Sequence, residues 1–139
     1  MTTLLRKLSL SAAVVLTIAA AGCSSVVAMT PSAAVPFAQG EVDPSFEDNG
    51  NGSITLDVKH LGDPAKLSSG ATVYVVWLQP KKDGASLQNM GALQVDDDFE
   101  GSLTFTTTFR EFSVSITPEP AADVAKPSAK PVLTAAVDG

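Results

Sequence analysis

The sequence predicts an all-β domain: an immunoglobulin-like Greek-key sandwich of about six to seven strands, with a small β-barrel as the alternative. Three observations carry that expectation. Apolar residues recur at every second position in several runs. Clusters of Gly, Pro, Asn and Asp separate those runs at the spacing of a sandwich or barrel. No stretch offers a useful amphipathic helix, because Ala121 to Ala125 is short and hemmed in by proline.

The runs follow in order. Ser53 to His60 alternates strictly, with Ile54, Leu56 and Val58 on one face and Thr55, Asp57 and Lys59 on the other, so one face meets the core and the other meets water. Ala71 to Gln79 places Val73, Val75 and Trp77 on one face and Tyr74, Val76 and Leu78 on the other. Both faces want cover, which marks a central strand. Leu87 to Val95 is a weaker strand interrupted by Gly91. Gly101 to Thr107, with Leu103 and Phe105, and Glu111 to Thr117, with Phe112, Val114 and Ile116, read as a hairpin. Pro118 to Pro131 carries four prolines that forbid helix and disfavour ladder pairing, and Val132 to Val137 is the last strand. The expected core places Val73, Val75 and Trp77 inward against Ile54, Leu56, Val58, Phe105, Val114 and Ile116.

The first residues carry an address. Arg6 and Lys7 precede an apolar stretch from Leu8 to Ala20, and Ala20-Ala21-Gly22-Cys23 follows, as in a secretory signal peptide spanning residues 1–22. The apolar stretch is too short for a bilayer-spanning helix, which needs about 20 residues. Small residues directly before a lone cysteine resemble the lipobox of bacterial lipoproteins, with Ala20 where that pattern has a larger aliphatic. The resemblance makes Cys23 the first mature residue and the site of lipidation by acyl chains such as palmitate. It implies export to the cell envelope and attachment to a membrane through that lipid. Ser24 stands where Asp would mark inner-membrane retention, which favours the outer membrane if the cell has one. The chain has one Cys, so no intrachain disulfide can form.

Without residues 1–22 the chain keeps seven basic and fifteen acidic residues, a net charge of −8. Such a charge argues against nucleic acid, whose phosphates would be repelled. Residues 23–39 form an uncharged stretch rich in Ser, Ala, Val and Pro that reads as a flexible lipidated tether, with the folded domain over residues 40–139.

Three phrases are similar to the extracytoplasmic domain of anti-sigma-K-factor-like proteins: Val73-Tyr74-Val75-Val76-Trp77-Leu78; Asn89-Met90-Gly91-Ala92-Leu93; and Ile116-Thr117-Pro118-Glu119-Pro120 followed by Pro127-Ser128-Ala129-Lys130-Pro131-Val132-Leu133. They cover about residues 71–137 and occur in the family's order, with Ala121-Ala122 where the family has Gly-Gly. The resemblance implies a β-sandwich acting as a partner-recognition, sensory or structural module. The chain carries no cytoplasmic sigma-binding domain and no His/Cys cluster beside it.

No residue pattern supplies a catalytic constellation. His60 is the single imidazole and sits at a strand end beside Lys59, without a nucleophile motif around it. A non-enzymatic protein without a cofactor is expected. One His and a lipidated Cys cannot build a blue-copper site. Glu47-Asp48-Asn49-Gly50-Asn51-Gly52 resembles a calcium loop but places Val58 where a bidentate Glu is needed, so it reads as a turn. Asp96, Asp97, Asp98 and Glu100 form a second acidic turn, the candidate for weak calcium binding. Tyr74, Val76 and Leu78 are the candidate docking face for an envelope protein partner, because large apolar groups outside a sheet need a cover. The rival reading is a carbohydrate- or calcium-binding envelope module, and for sugar it requires Trp77 or Tyr74 to be exposed beside polar groups.

Overall fold

A computed structural model describes residues 25–139; residues 1–22 and Cys23 lie outside the described residues. The described chain forms nine strands and one helical turn. They are β1 (Val27–Ala28), β2 (Thr30–Pro31), β3 (Gln39–Phe46), β4 (Gly52–Lys59), α1 (Pro64–Leu67), β5 (Val73–Pro80), β6 (Gln88–Leu93), β7 (Gly101–Thr107), β8 (Phe112–Glu119) and β9 (Leu133–Val137). Two antiparallel sheets result, ordered β1-β3-β4-β7 and β2-β9-β8-β5-β6, and they do not close into a barrel. The structure is a β-sandwich.

Its connections interlock. From β4 to β5 the chain leaves the first sheet for the second, and from β7 to β8 it does so again. Strand β7 thus pairs with β4 while β8 pairs with β5. This is the Greek-key arrangement, in which each sheet joins strands far apart in sequence. The β7–β8 unit expected as a hairpin is such a crossover, because Phe105 and Val114 must face each other from opposite layers to close the core.

The alternating runs fold as their pattern dictates. Ile54, Leu56 and Val58 point inward from β4, Phe105 from β7, and Phe112, Val114 and Ile116 from β8. Between β3 and β4 the Asn-Gly turn forms at Glu47–Asn51. The Gly50 amide donates to the Glu47 carbonyl at 3.0 Å, and Gly50 holds φ at +88°, a region where glycine is favoured.

The alternation does not decide the phase of β5, and the expected orientation is reversed. Tyr74, Val76 and Leu78 point into the interlayer core, while Val75 and Trp77 lie on the outer face of their sheet. Pairing with β8 supplies the reason. Directly opposed residues of two strands share a face. Val76 opposes Ile116 and Leu78 opposes Val114, so these residues go inward together. Trp77 opposes Ser115 and Val75 opposes Thr117, which takes both outward. Tyr74, Val76 and Leu78 are therefore packed between the sheets and do not form a docking face.

The stretch expected as a flexible tether is largely folded. β1 runs along β3, with Val27 opposite Val42, and β2 runs along β9, with Pro31 opposite Leu133. The segment thus crosses from one sheet to the other and covers an edge of each, which explains its order despite low complexity. Met29, Val35 and Ala38 turn inward and are buried. The Met29 amide donates to the Gly40 carbonyl at 2.8 Å, and a Cβ on Gly40 would lie 2.7 Å from the Met29 sulfur. Strand β3 has no counterpart among the expected strands, because Pro44 removes a ladder donor. The structure tolerates it because β1 pairs only with Glu41 and Val42, leaving that side of Pro44 without a neighbouring strand.

Candidate functional site

The polar residues of greatest interest lie on the outer face of the β5–β8 sheet. On β8 the inward phase belongs to Val114 and Ile116, which leaves Thr117 and Glu119 on the other phase, beside Trp77 and Val75. This face would be wet in a simple sandwich. Here Trp77, Thr117 and Glu119 are each 0% exposed, because the Pro120–Pro131 segment is held across them.

Hydrogen bonds fasten that cover at both flanks. The Trp77 indole Nε1 donates to Thr117 Oγ1 at 2.8 Å, and Thr117 Oγ1 donates to Glu119 Oε1 at 2.7 Å. The Ser128 amide donates to Glu119 Oε1 at 2.9 Å, and the Ser128 hydroxyl donates to Oε2. On the far flank, the Asn89 side-chain amide donates to the carbonyls of Ala122 at 2.9 Å and Val124 at 3.0 Å. Asn89 Oδ1 accepts from the Gly91 amide at 2.9 Å, where a bulge opposite Val76 and Trp77 holds Gly91 at φ +123°.

Burial pushes the Glu119 carboxyl up, but hydrogen bonds from the Ser128 and Thr117 side chains and the Ser128 and Ala129 amides outweigh it. Its pKa therefore lies below the ordinary value. The carboxylate is ionised, enclosed and supplied with donors. Chemically the arrangement is a latch that fixes a loop without secondary structure over an indole. The alternation on β8 and the buried-type residue Trp77 were the signals for it, but only the loop's return brings Ser128 to Glu119.

The remaining candidates are distributed as follows. Tyr74 is buried in the core cluster, and its hydroxyl donates to the Gly62 carbonyl at 2.5 Å. Burial, with the Asp63 charge second, raises its pKa well above the ordinary phenol value. A phenol whose folded pKa is raised contributes stability that is complete below about pH 10 and falls away above it. Tyr74→Phe should flatten the alkaline loss of stability. Urea titrations between about pH 9 and 11 test this, and equal slopes for the two proteins would overturn it.

Asp96, Asp97, Asp98 and Glu100 form an exposed turn. The Asp96 carboxylate accepts from the amides of Asp98 at 2.9 Å and Glu100 at 3.0 Å, so it is already engaged in shaping the loop. Among the described residues no group of three or more His, Cys, Asp or Glu side chains is placed to hold a metal ion. His60 is exposed at the end of β4, with φ at +56°. Both Trp77 and Tyr74 are buried, so neither ring is available to stack on a sugar. An open groove of about 550 Å³ lies at the end of the sandwich opposite the β8–β9 loop and is lined by Glu47, Asn51, Ser53, Gln88, Thr106 and Phe109. No described helix is long and apolar enough to cross a membrane.

No protein-family model matches this chain, and no curated protein matches it.

Proposed function

We propose that this protein is a lipid-anchored, non-enzymatic module of the bacterial cell envelope, related in design to the outer domains of anti-sigma-K-factor-like proteins and serving partner recognition, sensing or structure. The observation that carries the reading is the latch. Thr117, Glu119 and Ser128, the polar residues of the C-terminal phrases, join Trp77 of the first phrase and Asn89 of the second in holding one loop. Residues that carry the resemblance thus act together in building a rigid cover. The Glu119 carboxylate is held by Thr117 and Ser128 and is buried, which suits a scaffold better than a reaction centre.

The anchor is Cys23, and lipid attaches the protein to a membrane. Acyl chains each contribute roughly 0.8 kcal/mol per buried methylene, so more than one chain holds a protein firmly. The test is fractionation of cells expressing the parent and Cys23→Ser, with mass spectrometry of the mature N-terminus. The parent should pellet with membranes and carry acylated Cys23, whereas Cys23→Ser should be released. A Cys23→Ser protein that still pellets, or a parent with a free thiol, would overturn the anchor.

A further inference from the structure

We propose that the edge of the sandwich formed by residues 25–38 rests on the bilayer surface, with the Phe37 ring inserted among the lipid headgroups. The inference rests on the lipid anchor at Cys23 and adds an orientation to it. The first strand of the described residues starts at Val27, so Ser24, Ser25 and Val26 are the residues between Cys23 and that strand in the sequence. Four peptide steps reach at most about 14 Å, whatever their path. A headgroup layer is about 5–7 Å thick, so even a fully extended linker lifts the domain only about 7–9 Å beyond the headgroups, about one Debye length, and one face stays next to the membrane.

Charge and exposure choose the face. From Ser24 to Gly40 there is no charged residue, although the mature chain carries twenty-two. The segment runs along one edge of the sandwich, covering β3 and then β9. Val26 is 42% exposed and Phe37 is 84% exposed, the latter far more than any other exposed large apolar residue among those described. Phe37 is not on a loose loop. The Val35 amide donates to Ser32 and the Ala38 amide to Val35, and Val35 and Ala38 are buried on either side, which pins the backbone that presents the ring. Glu41 and Asp43 project from β3 on one flank, whereas Lys130 shares a shallow hollow with Ser32, Ala33 and Ala34 on the other. An anionic surface therefore draws the Lys130 side down and pushes the acidic sheet face away. Aromatic rings favour the headgroup level of a bilayer.

The full-length lipidated protein in phosphatidylethanolamine/phosphatidylglycerol vesicles tests this, with lipids brominated high on the acyl chain as quenchers. Phe37→Trp is compared with Ser86→Trp, whose site is exposed in the β5–β6 loop at the far end, and Trp77 of the parent provides the buried background. The expected result is a blue shift and strong bromine quenching for Phe37→Trp, with neither for Ser86→Trp. If the protein floats with vesicles while the indole at position 37 emits as in water, the orientation fails and the anchor stands. A blue shift without quenching would place the ring against protein, and equal quenching at both sites would mean free tumbling; either overturns the proposal. Loss of co-flotation would overturn both the anchor and the orientation.

Discussion

Trp77→Ala is expected to destabilise the domain by about 3–5 kcal/mol, the range for deleting a buried aromatic. The ring is fully buried, although it lies outside the space between the sheets. Its deletion removes the surface on which the Pro120–Pro131 cover packs and leaves Thr117 Oγ1 without its donor. A domain of this size has roughly 5–15 kcal/mol of total stability, so the loss is a large share. Trp77→Phe keeps most of the apolar contact and loses the indole hydrogen bond, and should forfeit about 1 kcal/mol from that bond plus a smaller packing loss. Urea unfolding followed by circular dichroism measures both. A Trp77→Ala loss below about 1 kcal/mol would mean that the cover does not depend on the ring.

The second large effect belongs to Glu119. Glu119→Ala strands the Thr117 hydroxyl, the Ser128 hydroxyl and the Ser128 amide, all of which donate to the carboxylate. Hydrogen bonds to a charged group contribute about 1.5–3 kcal/mol each, and water entering the vacated space offsets part of that, so about 3–5 kcal/mol is expected. Limited proteolysis should show cleavage within residues 120–131 of the variant at protease levels that spare the parent.

The pH dependence has a definite sign. Because folding holds the Glu119 carboxyl below its unfolded value near 4.5, its contribution is complete above that value and is lost as pH falls through the lower folded value. The parent's urea midpoint should therefore drop between about pH 5 and pH 3, and Glu119→Gln should remove part of that drop. Parallel profiles for the two proteins would sink the latch.

Several features are legible residue by residue. In β4, β7 and β8 one face is apolar and the other polar, so alternation alone identifies strand and inward phase together. The Asn-Gly turn before β4 is equally plain, since its backbone needs φ > 0 where glycine stands. Less legible is β3, whose Pro44 and acidic residues conceal a strand that is one-sided only because its neighbour is short. Residues 25–38 have neither charge nor period, and such a segment reads as a tether until the edges it covers are known. The candidate site is legible only in pieces. Thr117, Glu119 and Ser128 stand in recognisable phrases, but nothing local says that one carboxylate receives both hydroxyls.

Taken by itself, the amino-acid order determined the class of fold, the positions of most strands and the apolar content that drives their burial, because these follow from nearest-neighbour geometry and side-chain transfer out of water. The tertiary structure alone decided which face of β5 looks inward, what covers the other face, and that the N-terminal stretch belongs to the body. Those outcomes depend on pairing partners dozens of residues away. When both phases of a strand are equally apolar, only the cross-strand register and the polar groups needing satisfaction can break the tie.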